Sequence, residues 1–138
     1  MNLPPFKEQY RELGLKLTPQ RMAILDYLKG NILHPSAEDV YRAVRRRFPT
    51  MSFATVYNTL ETLRQHGKVV ELTGDPDKKR FDPNTLPHHH LICTGCRKIV
   101  DIKSEYRLPV NASDLAGFTV TGNHIEFTGL CPACQKKK

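Results

Sequence analysis

The chain has 138 residues, with 21 Lys+Arg against 14 Asp+Glu, a formal charge of +7, 39% hydrophobic residues, 10 Pro, 4 Cys, 6 His and no Trp. That length holds one ordinary domain or two small ones, and the composition is that of a folded soluble protein with a modest core, not of a disordered or collagen-like chain. Its apolar runs fall far short of the roughly 20 residues that span a bilayer. Pro, Lys and Glu within Met1 to Gln9 stand where a signal peptide needs an apolar stretch, so a cytosolic location is expected.

The first eighty or so residues read as helices separated by caps. Phe6, Tyr10 and Leu13 recur at helical spacing and Gly14 closes that segment. Thr18 is an N-cap with Pro19 at the first helical position, and Met22, Leu25 and Leu28 form a buried stripe up to Gly30. Ser36 caps a third helix, with Asp39 placed to complete a capping box and Val40, Tyr41, Val44 and Phe48 on one face until Pro49. Ser52 starts a fourth, with Val56, Leu60 and Leu63 inward, Thr55, Tyr57, Asn58, Thr59 and Thr62 outward, and Gly67 at its end.

The period then changes. Val70 and Leu72 alternate with Glu71 and Thr73, the turn Gly74-Asp75-Pro76-Asp77 follows, and Lys78 to Phe81 returns, which predicts a two-stranded hairpin. Helices two to four followed by a hairpin give the order of a winged helix-turn-helix, although a small helical bundle with a solvated fourth helix has the same periodicity. Residues 40 to 70 carry six basic side chains and one acid. Arg45, Arg46 and Arg47 precede the candidate recognition helix, where phosphates of double-stranded DNA would lie, so the DNA-binding reading is preferred. Tyr57, Asn58 and Thr59 are then expected near the groove, with Asn58 a candidate base reader. The tail Lys136 to Lys138 reads as solvated.

Asp82 to Pro87 has two prolines and no period, and reads as a linker. Beyond it, strand-like stretches at His90 to Ile92, Ile99 to Ile102, Phe118 to Thr121 and Ile125 to Thr128, with a short helix near Ala112 to Ala116, predict a small α/β unit. The whole is of the α+β class. So small a sheet calls for a metal or a second copy to stabilise it.

Cys93-Thr-Gly-Cys96 and Cys131-Pro-Ala-Cys134 are matched knuckles that together complete the four-thiolate shell of structural zinc. A redox dithiol and an iron-sulfur cluster are weaker rivals, and four thiolates leave no open position for catalysis. In the extended run His88-His89-His90, alternate side chains share a face, so His88 and His90 can meet one metal while His89 turns away. Asp82, Asp101 and His34 would extend these to three imidazoles and two carboxylates, a set suited to Fe(II), Mn(II), Ni(II) or Zn(II). A histidine triplet in a solvated loop, and ordinary turn chemistry at His34-Pro35, are equally compatible with the spacing alone.

Thr18-Pro19-Gln20-Arg21, His34-Pro35-Ser36-Ala37, Ser52 to Asn58, Arg80-Phe81-Asp82, His88 to Cys93 and Cys96 to Asp101, in this order, resemble the ferric uptake regulator superfamily over nearly the whole chain. The resemblance implies a homodimeric, metal-dependent repressor with a winged-helix DNA-binding domain over 1–81, a hinge over 82–87 and a zinc-containing dimerisation domain over 88–138. It maps the regulatory metal onto His34, Asp82, His88, His90 and Asp101. Within the superfamily the chain is most similar to peroxide-responsive repressors, which carry aspartate where Asp101 stands and asparagine where Asn58 stands. That similarity implies Fe(II) or Mn(II) as regulatory metal and singles out His34 and His88 as oxidation-sensitive. The ligand positions of an additional site seen in many iron and zinc sensors fall on Pro87 and Asn123, one residue from His124, which favours one regulatory site per chain. The segment Pro109 to Gly117 is shorter than the usual family helix.

An ion held by residues of both domains would act as a clamp on their closed arrangement. Two other readings fit the residues: an iron- or zinc-responsive regulator of the same fold, and, more distantly, a small non-haem iron enzyme, for which no organic-substrate pocket or cosubstrate motif is evident.

Overall fold

Helices start where the sequence supplies side-chain acceptors for their first N–H groups. In the computed structural model, which describes residues 6–14 and 16–137, Thr18 accepts from the Arg21 N–H at 3.2 Å and opens α2 (Pro19–Leu28), following α1 (Phe6–Glu12). Ser36 and Asp39 form the reciprocal capping box of α3 (Ala37–Arg45), with bonds of 3.1 and 3.0 Å. Ser52 caps α4 (Phe53–Gln65), and Gly67, at φ +70°, takes the left-handed turn that ends it. Met1 to Pro5, Leu15, Lys138 and the side chains of Phe6, Lys7 and Gln9 lie outside the described residues.

The chain divides into two compact units between Thr85 and Leu86. In the first, Ile24, Leu25 and Leu28 of α2, Val40 of α3, and Val56, Leu60 and Leu63 of α4 form a fully buried core, with Tyr10 of α1 against it. Two sequence expectations shift. Ala23 and Ile24 take the inward positions of α2, leaving Met22 half-exposed, and α3 ends at Arg45, so Phe48 reaches the core from the following turn. The hairpin pairs β1 (Val70–Leu72) antiparallel to β2 (Arg80–Asp82), Val70 opposite Asp82. Around β1 the buried residues are Val69 and Leu72, while Val70 is exposed.

Strand β2 does three things with three residues, because side chains alternate across a strand. Phe81 enters the core, and its N–H donates to the Pro35 carbonyl at 2.9 Å. Arg80 and Asp82 share the other face. Arg80 donates from Nη1 to the His34 carbonyl at 3.2 Å and pairs with Asp75, whose carboxylate is buried, at 3.1–3.2 Å. His34 itself sits at φ +53°, a conformation costing of order 1–3 kcal/mol that persists only when its surroundings impose it. The Arg80 and Phe81 bonds on either side of the His34-Pro35 peptide supply that constraint.

The second unit is a three-stranded sheet of order β4-β3-β5. In it, β3 (His89–Cys93) pairs antiparallel with β4 (Ile99–Ile102) and parallel with β5 (Glu126–Gly129). The short helices α5 (Ala112–Leu115) and α6 (Pro132–Gln135) flank it, the latter not foreseen from the sequence. Phe118 to Thr121, expected as a strand, is not one. The Phe118 N–H turns back to the Leu115 carbonyl, and Phe118 and Val120 are 76% and 58% exposed. Among the described residues, apolar burial here is confined to Ile92, Cys93 and Ile99. Among the described residues no helix is long and apolar enough to cross a membrane.

Arg80→Met is expected to lower the stability of the first unit by about 3–5 kcal/mol, since it strips the guanidinium from a buried carboxylate. Urea unfolding followed by helical circular dichroism measures it; a loss below 1 kcal/mol would show that Arg80 does not hold the turn.

Candidate functional site

The four cysteine sulfurs lie within 4.8 Å of one another, and all are thiols. Cys93 ends β3, Cys96 follows in its turn, and Cys131 and Cys134 flank the first turn of α6. Gly95 is needed between the first pair, since an added Cβ would meet Cys134 Sγ at 2.9 Å. The Cys131 N–H at 3.3 Å and the Cys96 N–H at 3.4 Å draw the Cys93 thiol down to about 5. The same crowding, through the Cys131 and Cys93 sulfurs, pushes Cys134 up to about 12. Cys131 is lowered as well, by the backbone N–H and thiol of Cys134, so part of the cluster ionises readily while Cys134 resists, which is the behaviour of a donor cluster that needs a cation at its centre. Four sulfurs in this arrangement fit tetrahedral zinc.

The nitrogen and oxygen donors predicted for a second metal fall into a set within each unit. In the first, His34 and Asp82 are buried, with His34 Nε2 3.4 Å from Asp82 Oδ2. The Asn84 N–H holds the other Asp82 oxygen at 2.9 Å. In the second, the registry His90 opposite Asp101 places two imidazoles on one carboxylate: Asp101 Oδ1 is 3.4 Å from His88 Nε2 and 3.3 Å from His90 Nε2. His88 Nδ1 bonds the Leu86 carbonyl at 2.7 Å, which assigns the proton to Nδ1 and leaves the Nε2 lone pair toward Asp101. His89 turns to the opposite side, where its Nδ1 accepts the Ile125 N–H at 2.9 Å. In each set imidazole and carboxylate lone pairs converge, the donor chemistry of a hard-to-borderline divalent ion such as Fe(II) or Mn(II).

Sequence reasoning did not assign His124. It lies just before β5, and its Nε2 is 2.8 Å from His90 Nδ1. Burial, then the neighbouring His90, lowers its pKa. Nothing in the sequence links two residues so far apart. Arg80 was equally unassigned, although its two-residue spacing from Asp82 on a strand was a usable signal. The Asn123 side-chain amide donates to the Tyr106 carbonyl at 3.0 Å.

On the candidate nucleic-acid face, Tyr57 and Asn58 of α4 are exposed, as are Arg45, Arg46 and Arg47. Arg45 lies over the Tyr41 ring and Arg47 over Phe48. Thr59 corrects the sequence expectation. It is 2% exposed, because its spacing of three from Val56 puts it on the inward stripe, and its hydroxyl donates to the Thr55 carbonyl at 2.7 Å. Arg64 is neutralised by Glu61, at 3.0–3.1 Å, with Glu71 beyond it.

The profile of the ferric uptake regulator family matches residues 12–128. The peroxide operon regulator of Bacillus subtilis (strain 168) is 44% identical over 133 residues, covering 95% of this chain and 92% of that protein. Among solved structures, PerR from Streptococcus pyogenes, described for peroxide sensing and gene regulation, is 33% identical with a TM-score of 0.52 over 94% of this chain and 90% of that one. The Helicobacter pylori ferric uptake regulator, at 19% identity, shares the fold with a TM-score of 0.73 over 94% and 89%.

Stripping the metal with a strong chelator should release one zinc per chain and unfold the second unit, because binding energy at such a site is folding energy. Metal analysis with near-ultraviolet circular dichroism checks this; a zinc-free chain keeping its native spectrum with all four thiols reactive would refute it.

Proposed function

The chain belongs to the ferric uptake regulator family, and we propose that within it this protein is a metal-dependent, DNA-binding transcriptional repressor that senses peroxide. The family consists of regulators, which sets aside the iron-enzyme reading. The observation that carries the proposal is the pair of imidazoles, His88 and His90, turned on the single short carboxylate of Asp101 in a chain 44% identical to a peroxide operon regulator.

In this reading zinc is structural on Cys93, Cys96, Cys131 and Cys134, and His34, Asp82, His88, His90 and Asp101 together hold one regulatory Fe(II) or Mn(II). Ligands drawn from both units make metal binding conditional on their closure, and shifting a population from mostly open to mostly closed takes about 5.5 kcal/mol of differential affinity. Closure in a homodimer sets the spacing of two recognition helices for successive major grooves of operator DNA. The exposed apolar side chains Leu108, Val110, Phe118 and Val120 of the second unit suit burial against a second copy. Tyr57 and Asn58 face the bases and Arg45, Arg46 and Arg47 the phosphates, while the burial of Thr59 leaves it a packing role.

Held by these residues, Fe(II) would give one electron to hydrogen peroxide and take one back from the oxidised ring, so that the net change at the ring is a two-electron oxidation. His34 and His88 are the groups we expect to be modified. A ring C–H becomes C–OH, one peroxide is consumed for each oxygen inserted, and one water leaves. The oxygenated ring is a poorer donor, so the ligand set weakens, closure is lost and DNA is released.

Operator binding with Fe(II) and with Mn(II), before and after low peroxide, together with peptide mass spectrometry, tests this. The iron form should release DNA with one oxygen added to His34 or His88, while the manganese form represses and does not respond. Asp101→Glu, which keeps a carboxylate but lengthens it, should bind DNA and lose the response. Release without oxygen on any histidine, or equal sensitivity with Mn(II), would instead indicate a sensor of metal level. Separately, Asn58→Ala should relax sequence preference at one base pair by about 1–3 kcal/mol; unchanged discrimination among operator variants would remove Asn58 as a base reader.

A further inference from the structure

We propose that His124 is a positioning residue for the regulatory metal, acting through His90. The two strands adjoining it fix its place. The His90 N–H donates to the Ile125 carbonyl at 3.1 Å, and the Ile125 N–H donates to His89 Nδ1 at 2.9 Å. The residue before Ile125 is thereby set alongside β3. From there His124 Nε2 stands 2.8 Å from His90 Nδ1, with the two rings 5.0 Å apart and inclined at 63°. The other nitrogen of His90, Nε2, faces Asp101.

Two imidazole nitrogens at 2.8 Å share one proton, so one donates and the other accepts. Coordination through His90 Nε2 requires that nitrogen to carry its lone pair, which puts the proton on Nδ1. The acceptor is then His124 Nε2, and the His124 proton sits on its own Nδ1. His124 thus selects the ligating tautomer of His90 and fixes the ring angle, as the Leu86 carbonyl does for His88 at 2.7 Å. Without it, the buried His90 loses the acceptor that selects its ligating tautomer.

The inference rests on His90 being a ligand, and the experiment separates the two claims. Full-length, zinc-loaded protein is titrated with Mn(II), and free Mn(II) is read by electron paramagnetic resonance for wild type, His90→Ala, His124→Phe and His124→Gln. His124→Phe keeps the ring's bulk and removes the acceptor; it should weaken Mn(II) binding by about 10–100-fold. His124→Gln offers an amide oxygen at similar reach and should restore the affinity to within a few-fold of wild type. Zinc content should stay the same in all four, which a merely structural role for His124, loosening the sheet that carries the cysteines, would not allow. If His90→Ala binds Mn(II) like wild type, the ligand set proposed above is wrong. If His90→Ala loses binding while His124→Phe keeps it, His124 has no role. If His124→Gln is as weak as His124→Phe, or if either variant lowers the stoichiometry instead of the affinity, His124 is not acting as an acceptor and the inference fails.

Discussion

The convergence of four sulfurs at the ends of β3 and β5 is the constraint on which the second unit depends. Its sheet buries little apolar surface beyond Ile92, Cys93 and Ile99, too little to offset the entropy of ordering some fifty residues. A cation among four mutually crowded thiols changes that balance, and it does so at a defined place. Cys93 lies on the strand that carries His89 and His90, and Cys131 follows the strand preceded by His124 and Ile125. Closing the knuckles therefore fixes the parallel pairing in which His90 stands opposite Glu126. The four-cysteine cluster and the cluster of His88, His90 and Asp101 are thus mechanically linked inside one small sheet, although they share no residue.

The first unit reaches a comparable end by different means. Its core is ordinary aliphatic packing, and the unusual element is a three-residue strand. Phe81 anchors β2 in that core, and the period of two then obliges Arg80 and Asp82 to share the opposite face. Arg80 stabilises a strained His34 backbone while Asp82 meets the same residue's side chain. Strain at a donor is tolerated here because the buried Arg80–Asp75 pair and the capping box at Ser36 over-determine the turn.

Much of this was legible in the sequence because it is local. Caps at Thr18, Ser36 and Ser52, the paired Cys-x-x-Cys knuckles and the alternation of His88 with His90 each involve residues a few positions apart, where spacing and geometry are nearly the same thing. What escaped was tertiary. His124 and His90 meet only because β5 lies parallel to β3, and a parallel pairing leaves no signature in either strand alone. Thr59 looked polar and hence exposed, yet its spacing from Val56 belongs to the buried stripe, and a threonine can enter it by returning its hydroxyl to the backbone at Thr55. Phe118 to Thr121 has strand composition without a strand partner among the described residues, and composition cannot supply the missing edge.

The histidine triplet shows how much a register carries. Three adjacent, chemically identical side chains take different roles solely from the pleat: His88 and His90 turn to Asp101, while His89 accepts a backbone N–H on the far side. A one-residue slip of β3 would exchange these faces, placing His89 on the carboxylate and leaving Ile125 without its acceptor. A sheet whose apolar side chains are largely exposed, with Leu91, Val100 and Phe127 all 40% exposed or more, has little hydrophobic contrast to forbid such a slip. The polar contacts provide it instead, since His89 meets the Ile125 N–H and His90 meets His124 in this register. The orientation of these imidazoles is thereby a property of cross-strand hydrogen bonds, with pairing to β4 and β5 on the two edges of β3 holding them in step.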